Sequence, residues 1–241
     1  MIIKGRWPRA VFYDSKTTLF DWGWSWKEAA TQILAKHGSS VDFQAFRATW
    51  LRFFEGHHRR TAFSRYTPVT ETIQEALVDT FKALNIDGSP DDIEEYRKLQ
   101  AKVELFSETE EALQNQQDMG VKIIIYSDVE PEYLNMYVDK FKTFKPDFVG
   151  STEQAGVHKP NPQTYYWVLR QMDLQARDVL YCAAPEFDVQ GAMSAGLIAA
   201  LLRRPTDGLL DNQAATAGIP PDYEIESLHD VTRILEVNRT A

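Results

Sequence analysis

Five short apolar runs punctuate the chain: RAVFYD (9–14), VKIIIYSD (121–128), PDFVGS (146–151), DVLYCAA (178–184) and LIAALLR (197–203). None alternates strictly between apolar and polar positions. Strands of a parallel sheet that is covered on both faces read this way. Between the later runs lie four stretches of helical spacing, at 107–119, 131–142, 161–173 and 187–196; Gly120 follows the first and Gly196 closes the last. Strand and helix therefore alternate from about residue 106, which predicts an α/β fold.

Residues 22–105 have a different pattern. They hold almost no strand-like run and four amphipathic stretches, at 25–37 before Gly38, 42–56 ending on Gly56, 68–85 and 90–103. Pro68 and Pro90 stand where first-turn prolines belong. The simplest architecture is a Rossmann-like core with a parallel sheet, formed by 1–21 and 106–241, and a helical cap (22–105) inserted after strand one. In the tail after Arg204, turn signals lead to DYEIESLHD and a final amphipathic helix at 228–237.

Composition narrows the function classes. The 241 residues are 44% apolar, enough for a sizeable core. A net charge of −9 argues against nucleic-acid binding, which demands a basic face. The one basic cluster is HHRR (57–60) with Arg65 nearby. It reads either as a solvated helix end or as the source of an arginine facing an anionic substrate. The single cysteine, Cys182, allows no internal disulfide and no multi-cysteine zinc site. No run is long enough to span a bilayer, and MIIKGRWPRAV lacks the pattern of a secretory signal, so a cytoplasmic enzyme with no membrane partner is expected.

In open parallel sheets ligands bind beyond the carboxyl ends of the strands. Polar residues gather at those predicted tips. The first strand delivers Asp14, followed by Lys16, Thr17 and Thr18; the second delivers Ser127 and Asp128; HKPNPQTYY brings Lys159; and the run after Cys182 leads to Glu186 and Asp188. Each has an ordinary explanation as a helix cap or turn residue. Those explanations do not predict an ordered set of Asp, Ser, Lys and Asp. Such a set supplies a carboxylate nucleophile, a cation to hold its charge and an acid to position water.

With these four segments the chain resembles the haloacid dehalogenase superfamily. The matching residues are Asp14-Ser15-Lys16-Thr17-Thr18-Leu19, IIIY-Ser127, Lys159-Pro160 and YCAAPEF-Asp188. The resemblance implies that Asp14 is the nucleophile, that Thr18 and Ser127 hydrogen-bond nucleophile or substrate, and that Lys159 holds Asp14 ionised. Most of that superfamily are phosphatases, with a second Asp two residues after the nucleophile and an acid that helps bind Mg²⁺ in the fourth motif. Here those places hold Lys16 and Ala184. A phosphate dianion approaching a carboxylate needs such charge compensation. Displacement at a saturated carbon does not.

The resemblance therefore narrows to the L-2-haloacid dehalogenases, which use no cofactor and whose K-P-x-P-x-x-Y pattern is matched from Lys159 to Tyr165. It implies attack by Asp14 on Cα of a small 2-substituted carboxylic acid. An aspartyl ester follows, and water oriented by Asp188 hydrolyses it with inversion at Cα. That branch binds halide partly through a cap arginine. Arg47 and Arg52 are the candidates, with Arg52 preferred for its aromatic neighbours, and Trp22 is expected to wall the pocket at the cap hinge. Lys16, if turned inward, could hold the substrate carboxylate. The chain departs from the branch at Thr17, where Gly is usual, at Lys16, where an aromatic residue is usual, and at Ala183, Ala184 and Pro185, where Ser and Asn are usual. Ring-opening hydrolysis of azetidine-2-carboxylate is an alternative by the same displacement. A phosphatase with an altered Mg²⁺ site and a catalytically silent member are the others. Pairing of two chains into a homodimer is also expected to be open to this branch.

Overall fold

The computed structural model of the chain describes residues 7–204 and 219–239. Strand β1 (Ala10–Asp14) is followed by four helices, α1 (Trp22–Lys36), α2 (Phe43–Thr61), α3 (Val69–Leu84) and α4 (Ile93–Gln100). Helix α5 (Thr109–Asp118) then leads to β2 (Lys122–Ser127), α6 (Pro131–Val138), β3 (Phe148–Ser151), the one-turn α7 (Thr152–Ala155) and α8 (Pro162–Met172). The chain closes with β4 (Val179–Ala183), α9 (Glu186–Ser194), β5 (Ile198–Leu202), β6 (Tyr223–Ile225) and α10 (Leu228–Arg239). The turn signals expected after Arg204 fall mostly in 205–218, outside the described residues.

All six strands are parallel, in the order β3-β2-β1-β4-β5-β6. β1 is central, and chain order reverses across it, which makes its carboxyl end a topological switch point. Register pairs Asp14 with Tyr126 and Tyr13 with Cys182, so the tips of β1, β2 and β4 lie level. The strands are apolar throughout because both faces are covered. Ala10 and Phe12 pack into a cluster with Tyr165, Val168 and Val189 from α8 and α9. Val11 and Tyr13 face the opposite cluster, which includes Leu113 of α5 and Leu235 of α10.

That second cluster runs on into the helices after β1, taking in Trp22, Trp26, Trp50 and Phe54. Trp26 and Trp50 stand 4.5 Å apart between ring centroids, and Phe54 lies 5.2 Å from Trp26. Several helix boundaries differ from the sequence expectation, among them the end of α6 at Val138 rather than 142. α1 starts at Trp22 rather than 25, because the Asp21 carboxylate accepts from the Trp24 N–H at 3.2 Å and caps the helix. α2 does not stop at Gly56 but continues to Thr61. Leu51, Phe54, His58 and Thr61 are buried at helical spacing, and their packing outweighs the ~1 kcal/mol propensity penalty of one glycine. Pro90–Asp92 form a single 3₁₀ turn that leads into the shorter α4.

Candidate active site

β1 ends on Asp14, whose side chain is almost fully buried. A buried carboxylate persists only where donors and opposite charge meet it. The Lys159 ammonium donates to Asp14 Oδ1 at 2.5 Å, and the Thr18 hydroxyl donates to Oδ2 at 2.8 Å. Thr18 is itself held by the Ala184 N–H at 2.9 Å, which ties the β1 loop to the tip of β4. Lys159 has no exposed surface, and its ammonium also donates to Asp188 Oδ2 at 2.6 Å. One cation thus bridges the expected nucleophile and the expected water-orienting acid. Burial would push Lys159 down, but Asp14, Asp188 and Asp128 together raise it well above the ordinary lysine value.

Asp188 sits in the first turn of α9. Burial pushes its carboxyl up to about 7, against the opposing pull of Lys159. Its Oδ1 is buried with no hydrogen-bond partner, while Oδ2 takes Lys159 and the Tyr181 hydroxyl at 3.3 Å. The Tyr165 hydroxyl donates to the Asp188 carbonyl at 2.8 Å, which fixes the start of α9. Gly191, one turn further on, lies against Pro160; a Cβ there would meet the Pro160 carbonyl oxygen at 2.6 Å.

These groups border a partly enclosed cavity of about 50 Å³. Its polar wall includes Asp14, Lys16, Asp128, Asp188 and Glu55, and its apolar wall includes Trp22, Leu51, Phe54 and Phe187. Lys16 is 8% exposed, with its ammonium 4.3 Å from the Trp22 ring centroid. Desolvation lowers its affinity for the proton, while Asp128 and Asp14 oppose that shift. Thr17 adopts φ +60°, the left-handed conformation, at the place where glycine is usual in the branch the sequence resembles.

The structure brings Asp14, Lys159, Asp188, Thr18, Lys16 and Trp22 together. It corrects three expectations about substrate contact. Arg52 is exposed on the outer side of α2, over Phe53, and does not reach the cavity; Arg59, two turns on, does. Ser127 is buried away from the cavity wall, accepting from the Ser15 hydroxyl at 2.7 Å and the Val129 N–H at 3.2 Å, so it braces the loop after the nucleophile. Tyr165 likewise lies behind Asp188 rather than in the cavity. Arg47, the other cap candidate, is buried in α2 and is not part of the wall.

Sequence reasoning gave no role to His58 and His158. His58 lies in the basic cluster expected to be a helix end, but α2 extends past it and turns its ring inward over Phe54. Asp128 Oδ1 accepts from the Lys159 backbone N–H at 3.0 Å and stands 3.1 Å from His158 Nδ1. The His158 Nε2–H donates to the Thr67 carbonyl at 2.7 Å, joining the core to the segment before α3. Burial would raise Asp128, yet Lys159, His158 and His58 hold it well below the ordinary aspartate value.

A central parallel sheet with an aspartate at the β1 tip, a buried lysine beside it and helices inserted between β1 and β2 defines the class of hydrolase that the sequence resembles. The family model described as haloacid dehalogenase-like hydrolase matches residues 18–201, and the chain belongs to that family. No curated protein sequence matches the chain significantly. Among solved structures, an L-2-haloacid dehalogenase superposes with a TM-score of 0.80 at 20% identity, covering 95% of this chain and 99% of its own. The Xanthobacter autotrophicus L-2-haloacid dehalogenase with chloropropionic acid covalently bound gives 0.76 at 21%, covering 95% and 98%. A HAD-hydrolase from Bacillus subtilis bound to magnesium gives 0.79 at 16%, covering 95% and 99%. These likenesses carry the fold.

The donors around Asp14 do not suit magnesium of the phosphatase kind. Ala184 presents a methyl group where a ligating acid is expected, and its N–H is committed to Thr18. Lys16 places a second buried ammonium where a general acid would stand. Among the described residues no helix is long and apolar enough to cross a membrane.

Proposed function

We propose that the protein hydrolyses small 2-substituted carboxylic acids, with Asp14 displacing a leaving group from Cα, as in the haloacid dehalogenase reaction. The observation that carries this reading is the pairing of Asp14 with a second ammonium, Lys16, on the wall of one small cavity. A substrate carboxylate can pair with Lys16, which sets Cα before the Asp14 carboxylate. Lys159 and Thr18 fix that carboxylate and stabilise its charge, each leaving lone pairs free for attack. Trp22, Leu51, Phe54 and Phe187 keep bulk water from competing.

Displacement gives an ester between Asp14 and the inverted Cα. Water then attacks the Asp14 carbonyl carbon, and Asp188 takes its proton. A carboxylate raised to about 7 is matched to that task, and its unpartnered Oδ1 is free to accept. The ester oxygen leaves with the product as a hydroxyl, and Asp14 returns carrying one oxygen from water. The reading covers halide and strained ring nitrogen alike, since both leave Cα without a proton from the protein.

Single-turnover reaction in H₂¹⁸O with EDTA present, followed by mass analysis of the Asp14 peptide, tests it. Incorporation of heavy oxygen into Asp14 is expected. Strict Mg²⁺-dependent cleavage of phosphate esters, with Asp14 unlabelled, would sink it.

A further inference from the structure

The residue after β2, the loop before α8 and the inner face of α2 bring together three ligand-type side chains that the displacement step leaves unused. They are His58, Asp128 and His158, all buried, and one donor atom from each lies within 4.8 Å of the others. His58 comes from the helices inserted after β1, and the other two come from the core.

The hydrogen bonding inside this cluster is incomplete. His158 Nε2 lies 2.7 Å from the Thr67 carbonyl. A carbonyl only accepts, so that nitrogen carries the N–H and Nδ1 is turned toward Asp128 Oδ1, 3.1 Å away. Histidines that ligate metals anchor their second ring nitrogen in this way. On the other side, His58 Nε2 is buried with no hydrogen-bond partner and stands 3.7 Å from Asp128 Oδ2. A proton shared between those two atoms would draw them to within about 3.2 Å. Two donors on one tetrahedral metal, with bonds of about 2.0–2.2 Å, stand about 3.3–3.6 Å apart. The separations of 3.1 and 3.7 Å bracket that range, and the remaining edge closes with a small turn of one ring.

Charge and room agree with this. The Lys159 ammonium is 3.8 Å from Asp128 Oδ2 and is already shared by Asp14 and Asp188 at 2.5 and 2.6 Å. The buried acids Asp14, Asp128, Glu130 and Asp188 outnumber the buried ammoniums Lys16 and Lys159, so a dication adds charge where it is short. His58 and Asp128 both line the cavity, which leaves its open side for a fourth ligand. Two imidazoles and one carboxylate form a donor set suited to zinc and its neighbours, whereas Mg²⁺ favours six oxygens.

We propose that His58, Asp128 and His158 bind one divalent transition-metal ion of the zinc type, with its fourth position facing the cavity. The ion ties α2 to the two core segments, because His58 is the ligand from the inserted helices and Asp128 and His158 are those from the core. Asp14, Lys159 and Asp188 are not ligands, so the site is independent of the displacement reaction proposed above.

The test uses the protein free of any polyhistidine tag, stripped with EDTA and desalted, then titrated with Zn²⁺ and Co²⁺. One ion per chain is expected by calorimetry, with two imidazole ligands in X-ray absorption at the zinc edge. With Zn²⁺ about 100-fold above its Kd, Tm should rise by about 5–10 °C. His58→Phe keeps a ring over Phe54 and removes the donor. Loss of an outer-shell partner costs metal sites about 10–100-fold, so this loss of a ligand should weaken Zn²⁺ binding at least about 100-fold and abolish the Tm rise. Asp128→Asn is the second variant should His58→Phe fail to fold. His57→Ala, whose ring faces Asp79, should bind as the parent does. Absence of binding by the parent, a zinc edge without imidazole, or undiminished binding by His58→Phe overturns the inference. Loss of binding in His57→Ala places the ion on the surface of α2 and overturns it too. The Asp14 labelling experiment runs in EDTA, so labelled Asp14 without zinc binding removes this inference alone, and zinc binding without labelling removes only the displacement reading.

Discussion

Lys159→Met removes the charge that the site is built around while keeping most of the side chain's length. The ammonium touches Asp14 at 2.5 Å and Asp188 at 2.6 Å and has no exposed surface. Removing one partner of a buried pair leaves uncompensated charge, and such losses run about 3–5 kcal/mol. Here two carboxylates lose the same partner, so the upper half of that range is expected at pH 8. For a chain of this size, that lowers Tm by about 10 °C or more.

The pH dependence gives the sharper check. Lys159 is raised well above the ordinary value, so its contribution is fully present below the unfolded lysine value, including from pH 5 to 8. Asp188 is raised to about 7 by burial, so its contribution is greatest at acidic pH and is lost as pH rises through about 7. Without the Lys159 ammonium, which opposes that rise, Asp188 climbs further and accepts a proton more readily. The deficit of the variant should therefore narrow by about half between pH 8 and pH 5. Urea unfolding of both proteins at the two pH values measures it. A variant as stable as the parent, or a deficit that does not change with pH, would refute the bridging role.

Three further perturbations follow from the same geometry. Asp188→Asn should slow ester hydrolysis by about 10²–10⁴-fold, so the Asp14 peptide should carry the mass of the trapped ester; in the parent, the single-turnover rate of ester hydrolysis should fall about tenfold per pH unit below about 7. Absence of both effects would remove Asp188 as the base. Gly191→Ala places a Cβ 2.6 Å from the Pro160 carbonyl oxygen and should cost about 1–3 kcal/mol in urea unfolding together with turnover, since Lys159 precedes Pro160. Thr17→Gly releases a β-branched residue from φ +60° and should stabilise by about 1 kcal/mol, read as a raised Tm; a lowered Tm would mean that Thr17 is not strained.

The parts of this site at strand ends were the most legible. Asp14 ends a run that is apolar on both faces, and the parallel pattern alone puts it at the carboxyl edge beside Ser127 and the start of α9. Lys159 was legible from its proline-rich context and Asp188 from its place at a helix start. What the sequence hid lies on helices, where facing depends on packing. Arg52 and His58 are six residues apart on α2, yet one points outward and the other to the cavity. Gly56 between them reads as a stop signal, and only the burial of Leu51, Phe54, His58 and Thr61 along one face carries the helix past it.

The division of labour follows from that difference. The tip of β1, the loop before α8 and the first turn of α9 hold Asp14, Lys159 and Asp188 within hydrogen-bond distance of one another, with Lys159 as the shared partner. The wall around them is assembled from two sources, α1 and α2 supplying Trp22, Leu51, Phe54 and His58, and the core loop after β2 supplying Asp128. In the proposed reaction, then, attack is the work of the core and the fit of the leaving group the work of this wall. Lys16 joins the two halves: it lies two residues from Asp14 on the core loop with the left-handed turn at Thr17, yet its ammonium is buried over Trp22 of α1.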